Sequence, residues 1–276
     1  MVITLYFVLF FSLMIYFEQQ RLLMTPTPRQ SGIIQAASVD GHQTIEALAE
    51  RFNVTHQTIR RDVNRLANAG LIARFHGGVR LLESTTENIA YRQRQAIAAG
   101  EKQRIARAIA ARVPNGCSLI MNIGTTIEAV AHELLRHNDL RVITNNLNVA
   151  ALLSGNPNCE VIVAGGVVRT NDQAIMGEAT IDFIRQFKVD IGLIGISGIE
   201  PDGTLRDYDY REVRVARTII DQSRQVWLAA DHTKFSRAAM VELATLEEID
   251  MVFTDQDPPS ALSDLMAQHD VTCVVS

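Results

Sequence analysis

Between Thr55 and Leu66 the chain reads THQTIRRDVNRL, and four of the side chains in it can address a nucleic acid directly. An amide such as that of Gln57 pairs bidentately with adenine, and a guanidinium such as that of Arg61 with guanine, in the major groove. Flanking Arg60 and Arg65 can neutralise phosphates and fix the register. Thr55, Thr58 and Asn64 complete the polar set. Beyond it, RFHGGVR places His76, Gly77, Gly78 and Arg80 where a basic hairpin would meet the backbone or the minor groove.

A second set of polar residues is spread over the last two thirds of the chain. Asn122-Ile123-Gly124-Thr125-Thr126 puts a glycine where backbone can approach a ligand, followed by two hydroxyls at the start of a helical pattern. Free N–H groups at a helix start and nearby hydroxyls hold phosphate. Lys234 supplies a point charge for the same phosphate. Asn145, Asp209 and Glu212 can donate to or accept from sugar hydroxyls, and Gly166 closes another strand.

The elements that would carry the first set follow from periodicity. RQSGIIQAA gives a first helix. Ile45, Leu48, Ala49 and Phe52 then fall on one stripe of a short helix after Thr44. Thr55 is placed to cap the next helix, in which Ile59, Val63 and Leu66 share one face. At 100° per residue, Gln57, Arg61, Asn64 and Asn68 point the other way. Gly70 stops that helix, and LIARFHGGVRLL reads as two short strands around Gly77-Gly78. Helices followed by a basic hairpin make a winged helix-turn-helix.

The second set needs a different frame. SLIMNIG, LRVITNN, CEVIVAGG, VDIGLIGISGI, QVWLAAD and MVFTD are short apolar runs, and helical patterns such as EAVAHELLRH and EVRVARTIIDQS separate most of them. Strands alternating with helices predict an open, mainly parallel sheet covered on both faces. Ligands of such sheets bind at the carboxyl ends of the strands, which is where the polar residues lie.

Bulk properties agree with a two-part chain. The 276 residues are 47% hydrophobic and 21% charged, with a formal net charge of −5. That charge is uneven, about +2 from Met24 to Glu83 and about −7 thereafter, which points the first part toward an anionic partner. The expected organisation is an apolar leader at 1–23, a winged helix-turn-helix at 24–83, a linker at 84–100 and an α/β domain at 101–276. The leader begins with 17 uncharged residues that lack signal-peptide features, so it reads as a start site called too early, or else as a membrane segment. Cys117, Cys159 and Cys273 have no metal-ligand spacing and predict free, buried thiols in a reducing cytoplasm; no metal or cofactor is expected.

These stretches resemble a known family. TIRRDVNRL followed by LIARFHGG is similar to the signature of the DeoR-type family of bacterial regulators. NIGTT, TNNLNVA, AGGVVR, GEATIDFI, GISGIEPDGTL, DYDYREVR and DHTKFSRAAMV are similar to its sensor half. The resemblance implies a sensor related to ribose-5-phosphate isomerases, joined to a repressor module that holds operator DNA as a homo-oligomer in the cytoplasm. It implies release by a phosphorylated metabolite, glycerol 3-phosphate or a sugar phosphate. Family roles fall on Gly124-Thr125-Thr126 and Lys234 for the phosphate, with Asp209 and Glu212 nearby. Where the family usually has an aspartate, this chain has Asn122, which hydrogen-bonds a hydroxyl but takes no proton. A sugar-phosphate isomerase-like enzyme with an accessory DNA-binding module is the alternative, and Asn122 disfavours it.

Overall fold

A computed structural model describes residues 27–39, 43–68, 72–75, 78–81 and 91–276. The apolar leader, Gly70, His76 and Gly77 lie outside them. The chain divides into two compact units between Glu83 and Ser84.

The first unit is built from α1 (Pro28–Val39), β1 (Gln43–Thr44), α2 (Ile45–Arg51), α3 (His56–Asn68), β2 (Ile72–Phe75) and β3 (Gly78–Leu81). Thr44 starts α2 by accepting the Ala47 N–H at 3.1 Å. Thr55 starts α3 the same way, its hydroxyl accepting the Thr58 N–H at 3.3 Å. Ile59, Val63 and Leu66 on α3 bury themselves with Ile33, Leu48, Ile72 and Val79. Each large aliphatic side chain removed from water there contributes roughly 1.5–3 kcal/mol. The three strands pair antiparallel in the order β1-β3-β2, with Gly78 opposite Thr44 on one side and Phe75 on the other.

In the second unit α4 (Tyr91–Ala96) and α5 (Ala99–Ala110) precede β4 (Ser118–Met121), α6 (Thr125–Glu133), β5 (Leu140–Thr144), α7 (Leu147–Leu153) and β6 (Cys159–Val163). A hairpin of β7 (Val167–Arg169) and β8 (Ala174–Met176) leads to α8 (Glu178–Ile184) and β9 (Val189–Gly195). Next come β10 (Gly198–Ile199), β11 (Thr204–Asp207), α9 (Tyr210–Asp221), β12 (Ser223–Ala229) and β13 (Val241–Thr245). The chain ends through β14 (Met251–Thr254), α10 (Ser260–Gln268) and β15 (Thr272–Val275).

Seven strands form one sheet, in the order β15-β14-β12-β9-β4-β5-β6, and every neighbouring pair is parallel. Successive residues of a strand point to opposite faces, and here both faces are apolar. Leu119, Met121, Leu193, Trp227 and Phe253 pack on one side with Ile105, Ile127 and Val130. Ile120, Ile194, Leu228 and Val252 pack on the other with Ile184, Val215 and Ile219. This double burial is why the strands read as continuous apolar runs. A smaller antiparallel sheet, β10-β11-β13, sits after β9. At its first residue a Cβ on Gly198 would lie 2.0 Å from the carbonyl oxygen of Arg237, so only glycine fits there.

One expectation needs correction. Of the three thiols only Cys117 is buried; Cys159 is partly covered and Cys273 exposed, because β6 and β15 are the edges of the sheet. In the segment read as a linker with some helix, α4 is seated on the second unit: the Tyr91 hydroxyl donates to Glu128 at 2.7 Å.

Candidate functional site

From β4 the chain winds outward through β5 and β6, then returns to the opposite side of β4 as β9 before continuing to β12, β14 and β15. The strand order therefore reverses between β4 and β9. Connections leave these two strands in opposite directions, which opens a crevice at their carboxyl ends. The cleft found there is lined by Asn122, Gly124, Thr125 and Thr126 after β4, and by Gly195 at the end of β9 and Ser197 beyond it. Asp207, Glu212, Lys234 and Arg94 also line it.

Each wall has a local cause. Gly124 is the N-cap of α6 with φ at 129°, a conformation that favours glycine. It has no side chain to cap the helix, so the first-turn N–H groups keep their capacity for an anion. Asn122 is 4% exposed, and its Oδ1 has no hydrogen-bond partner among the described residues. A buried amide oxygen left open costs stability unless a ligand or water fills it. Lys234 closes a short 3-10 turn, His232–Lys234, which Asp231 caps by accepting the Thr233 N–H at 3.1 Å. Burial pushes the Lys234 ammonium down to about 8, with Arg237, Lys102 and Arg94 adding to the shift and Asp231 opposing it.

Two carboxyls face these cations. Asp207 accepts from the Ser197 hydroxyl at 2.8 Å and from the Tyr208 N–H at 2.7 Å, yet burial holds its pKa above the ordinary range. Glu212 is raised to about 7 by burial and by the nearby Asp207 charge, while its bond to Arg169 works against that. Glu212 can therefore take up a proton near neutral pH and present a donor as well as an acceptor. The cleft thus combines cationic and N–H donors on one side with protonatable carboxyls on the other. That suits a small anion bearing hydroxyl groups.

Not every expected ligand residue reaches the cleft. Asp209 lies outside its lining: it caps α9, accepting the Arg211 N–H at 2.9 Å, and pairs with Arg211 at 2.7 Å. That bonding to Arg211 lowers its pKa, the opposite of Glu212 three residues on. Asn145 is buried at the end of β5, where its amide donates to the Ile175 carbonyl at 3.2 Å and fixes β8. Gly166 has φ at 151°, and a Cβ there would sit 2.3 Å from Thr180 Oγ1, so the glycine serves packing against α8. Conversely, Arg94 and Asp207 line the cleft without having been singled out. Asp207 is one of two acidic residues in RDYDY, and only the pairing of β11 tells which turns inward. Among the described residues no cluster of three His, Cys, Asp or Glu side chains could hold a metal ion.

In the first unit Gln57, Arg60, Arg61, Asn64, Arg65 and Asn68 are all exposed on α3, opposite its buried stripe. Thr55 is exposed and Thr58 partly covered, their hydroxyls 2.9 Å apart. Gly78 is paired within the wing, and Arg80 lies in β3. His76 and Gly77 fall outside the described residues. Asp62 interrupts the polar face from within: it is 4% exposed and accepts from Arg29 Nε at 2.6 Å and Gln30 Nε2 at 2.9 Å. A carboxylate on a buried face needs such partners, and here they tie α1 to α3.

Comparison with known proteins matches both units. A family model for the DeoR-like helix-turn-helix domain covers residues 29–85, and one for the DeoR C terminal sensor domain covers 97–256. The chain is 48% identical over 248 residues to the glycerol-3-phosphate regulon repressor of Escherichia coli K12, covering 90% of this chain and 98% of that protein. It is 45% identical to the repressor of the same name from Haemophilus influenzae, over 89% of this chain and 95% of that one. The HTH-type transcriptional repressor CsqR of Escherichia coli is 37% identical, over 91% and 96%. Among solved structures, ribose 5-phosphate isomerase A of Methanocaldococcus jannaschii matches with a TM-score of 0.38 at 12% identity, over 50% of this chain and 55% of that one. The eIF2B delta subunit of Chaetomium thermophilum gives 0.45 at 12%, over 73% and 63%. With both halves matched in order, this chain belongs to the DeoR family of helix-turn-helix regulators.

Proposed function

We propose that the chain is a transcriptional repressor of a glycerol-3-phosphate regulon. Its first unit grips operator DNA, and glycerol 3-phosphate in the cleft of the second loosens that grip. The observation that carries this reading is the cleft at the strand-order reversal, where Lys234 and the uncapped start of α6 face an unpartnered Asn122 oxygen. The relatives named glycerol-3-phosphate regulon repressors, alike over nearly their whole length, support it.

On this reading Gly124, Thr125, Thr126 and Lys234 hold the phosphate, while Asn122, Ser197, Asp207 and Glu212 meet the hydroxyls. Gln57 and Arg61, with Thr58 and Asn64, read bases. Arg60 and Arg65, with Thr55 and the wing residues His76, Gly77, Gly78 and Arg80, hold the backbone. Repression is the work of a homo-oligomer in the cytoplasm, two copies of α3 matching two half-sites. Effector favours a sensor state in which that spacing no longer fits.

The test is a fluorescence-anisotropy titration. Full-length protein is bound to a labelled duplex from the control region of its own regulon, and glycerol 3-phosphate is added. Coupling requires operator and effector to weaken each other by the same factor, typically 5–150-fold. Release by glycerol 3-phosphate with matched reciprocal shifts supports the reading. An operator affinity that glycerol 3-phosphate leaves unchanged removes it for that effector.

A further inference from the structure

Arg94 sits on α4, the first described element after the DNA-binding unit, yet its side chain lines the effector cleft. It is poorly satisfied where it stands. Its charge partner is Asp172 at 3.5 Å, and that carboxylate already takes Arg169 through two hydrogen bonds, one of them 2.8 Å. Its guanidinium lies 5.9 Å from the Tyr91 ring centre, and its buried Nε has no hydrogen-bond partner among the described residues. A guanidinium is a planar fork shaped for two oxygens of one anion, and this one meets a single oxygen at 3.5 Å. Its field already reaches Lys234 and Asp207 across the cleft.

The rest of α4 is tied down by different means. Tyr91 is held by Glu128, and the Asn148 amide donates to the Tyr91 hydroxyl at 3.0 Å. At the other end the buried Lys102 ammonium donates to the carbonyls of Arg94 and Ile97, the latter at 2.7 Å. Arg94 is thus the point at which this short helix meets the cleft. From Tyr91 the chain runs back through residues 82–90 to β3 of the wing.

We propose that Arg94 is an effector ligand that exchanges Asp172 for the anionic group of the bound metabolite. Through α4 this exchange reports the state of the cleft to the DNA-binding unit. The proposal rests on the function proposed above. It differs from the roles of Lys234 and Gly124 in predicting an effect on coupling as well as on affinity.

The experiment measures, in full-length protein, the Kd for glycerol 3-phosphate and the ratio of operator Kd with and without saturating glycerol 3-phosphate. Arg94→Ala should raise the glycerol 3-phosphate Kd at least tenfold and bring the operator ratio close to one even at saturation. Arg94→Lys, which keeps the charge and loses the fork, should fall between. Asp172→Asn frees Arg94 from its competing carboxylate and should tighten glycerol 3-phosphate binding severalfold, a gain that misfolding cannot imitate. If wild-type complex ignores glycerol 3-phosphate, the proposed function fails and this inference falls with it. If wild-type responds and Arg94→Ala binds within twofold of it, or keeps its ratio at saturation, the inference alone is overturned. Looser binding in Asp172→Asn overturns it as well.

Discussion

An ammonium that ionises near 8 makes effector binding depend on pH in a way that can be worked out beforehand. The Lys234 charge is depressed because burial strips it of water. A phosphate dianion beside it restores what water supplied, so the bound state keeps its proton well above 8. The phosphate itself, with a second pKa of about 6, is already about nine-tenths dianion at pH 7 and more so above. Between pH 7 and pH 9.5 the protonated fraction of an empty cleft falls from about nine-tenths to about one-thirtieth. Glycerol 3-phosphate affinity should therefore drop about 30-fold, or about 2 kcal/mol, with most of the loss above pH 8. Glu212, raised to about 7, also titrates in the cleft, so the clean measurement uses a Glu212→Gln background. Isothermal titration calorimetry in two buffers of different ionisation enthalpy should show uptake of about half a proton at pH 8 and nearly one at pH 9.5. In Lys234→Met both the uptake and the pH slope should vanish. An affinity that changes less than threefold over this range, with no proton taken up, would refute the placement of Lys234 against the anion.

The DNA-binding face and the scaffold give further expectations. Arg61→Ala should cost about 1–3 kcal/mol on operator and relax preference at one base pair, whereas Arg60→Ala should weaken all duplexes alike and lower the salt slope by about one; anisotropy titrations over a salt series separate the two. Asp62→Ala strands Arg29 and Gln30 and should destabilise the first unit by about 1–3 kcal/mol, read as a lower chemical-denaturation midpoint for operator binding. Lys234→Met removes a desolvated charge, so the effector-free protein should melt higher than wild type while losing its thermal shift with glycerol 3-phosphate. Gly198→Ala drives a methyl into the Arg237 carbonyl and should lower Tm by several degrees, since backbone has to move.

Much of this architecture is legible in the sequence, because the strongest signals are those of burial. A helix that hides Ile59, Val63 and Leu66 has to show Gln57, Arg61 and Asn64 to solvent, and period counting alone assigns them. Strands buried on both faces announce themselves as apolar runs, and their polar carboxyl ends mark where a ligand binds. Lys234, Asn122 and Gly124 were therefore within reach. What the sequence conceals is decided by tertiary pairing. Asp207 and Asp209 stand two apart in one acidic stretch, and whether either faces the cleft depends on the β10-β11-β13 sheet and on the start of α9. Gly166 and Gly124 both follow a strand, but only the Thr180 hydroxyl next to Gly166 shows that one glycine serves packing. Arg94 lies in a polar segment whose pattern suits a linker, and nothing local signals that its side chain enters a cleft built from residues at least 28 positions away.

On the function proposed above, the same placement suits this cleft to sensing its ligand. Moving a proton from carbon needs a base aimed at the reacting atom, with an open lone pair and a pKa near the working pH. Here Glu212 and Asp207 are each anchored through one carboxylate oxygen: Arg169 donates to Glu212, and the Ser197 hydroxyl and the Tyr208 N–H both donate to Asp207. Asn122, nearest the start of α6 in sequence, has no acidic proton to exchange. Binding energy that an enzyme would reserve for its transition state is here available for another purpose. It can redraw an ion-pair network in which Asp172 is shared between Arg169 and Arg94. That sharing ends when one cation is drawn away by an effector, and the cation that leaves is the one mounted on the helix nearest the DNA-binding unit in the chain. By reciprocity, operator that holds this helix in its resting place must resist the effector by the same factor.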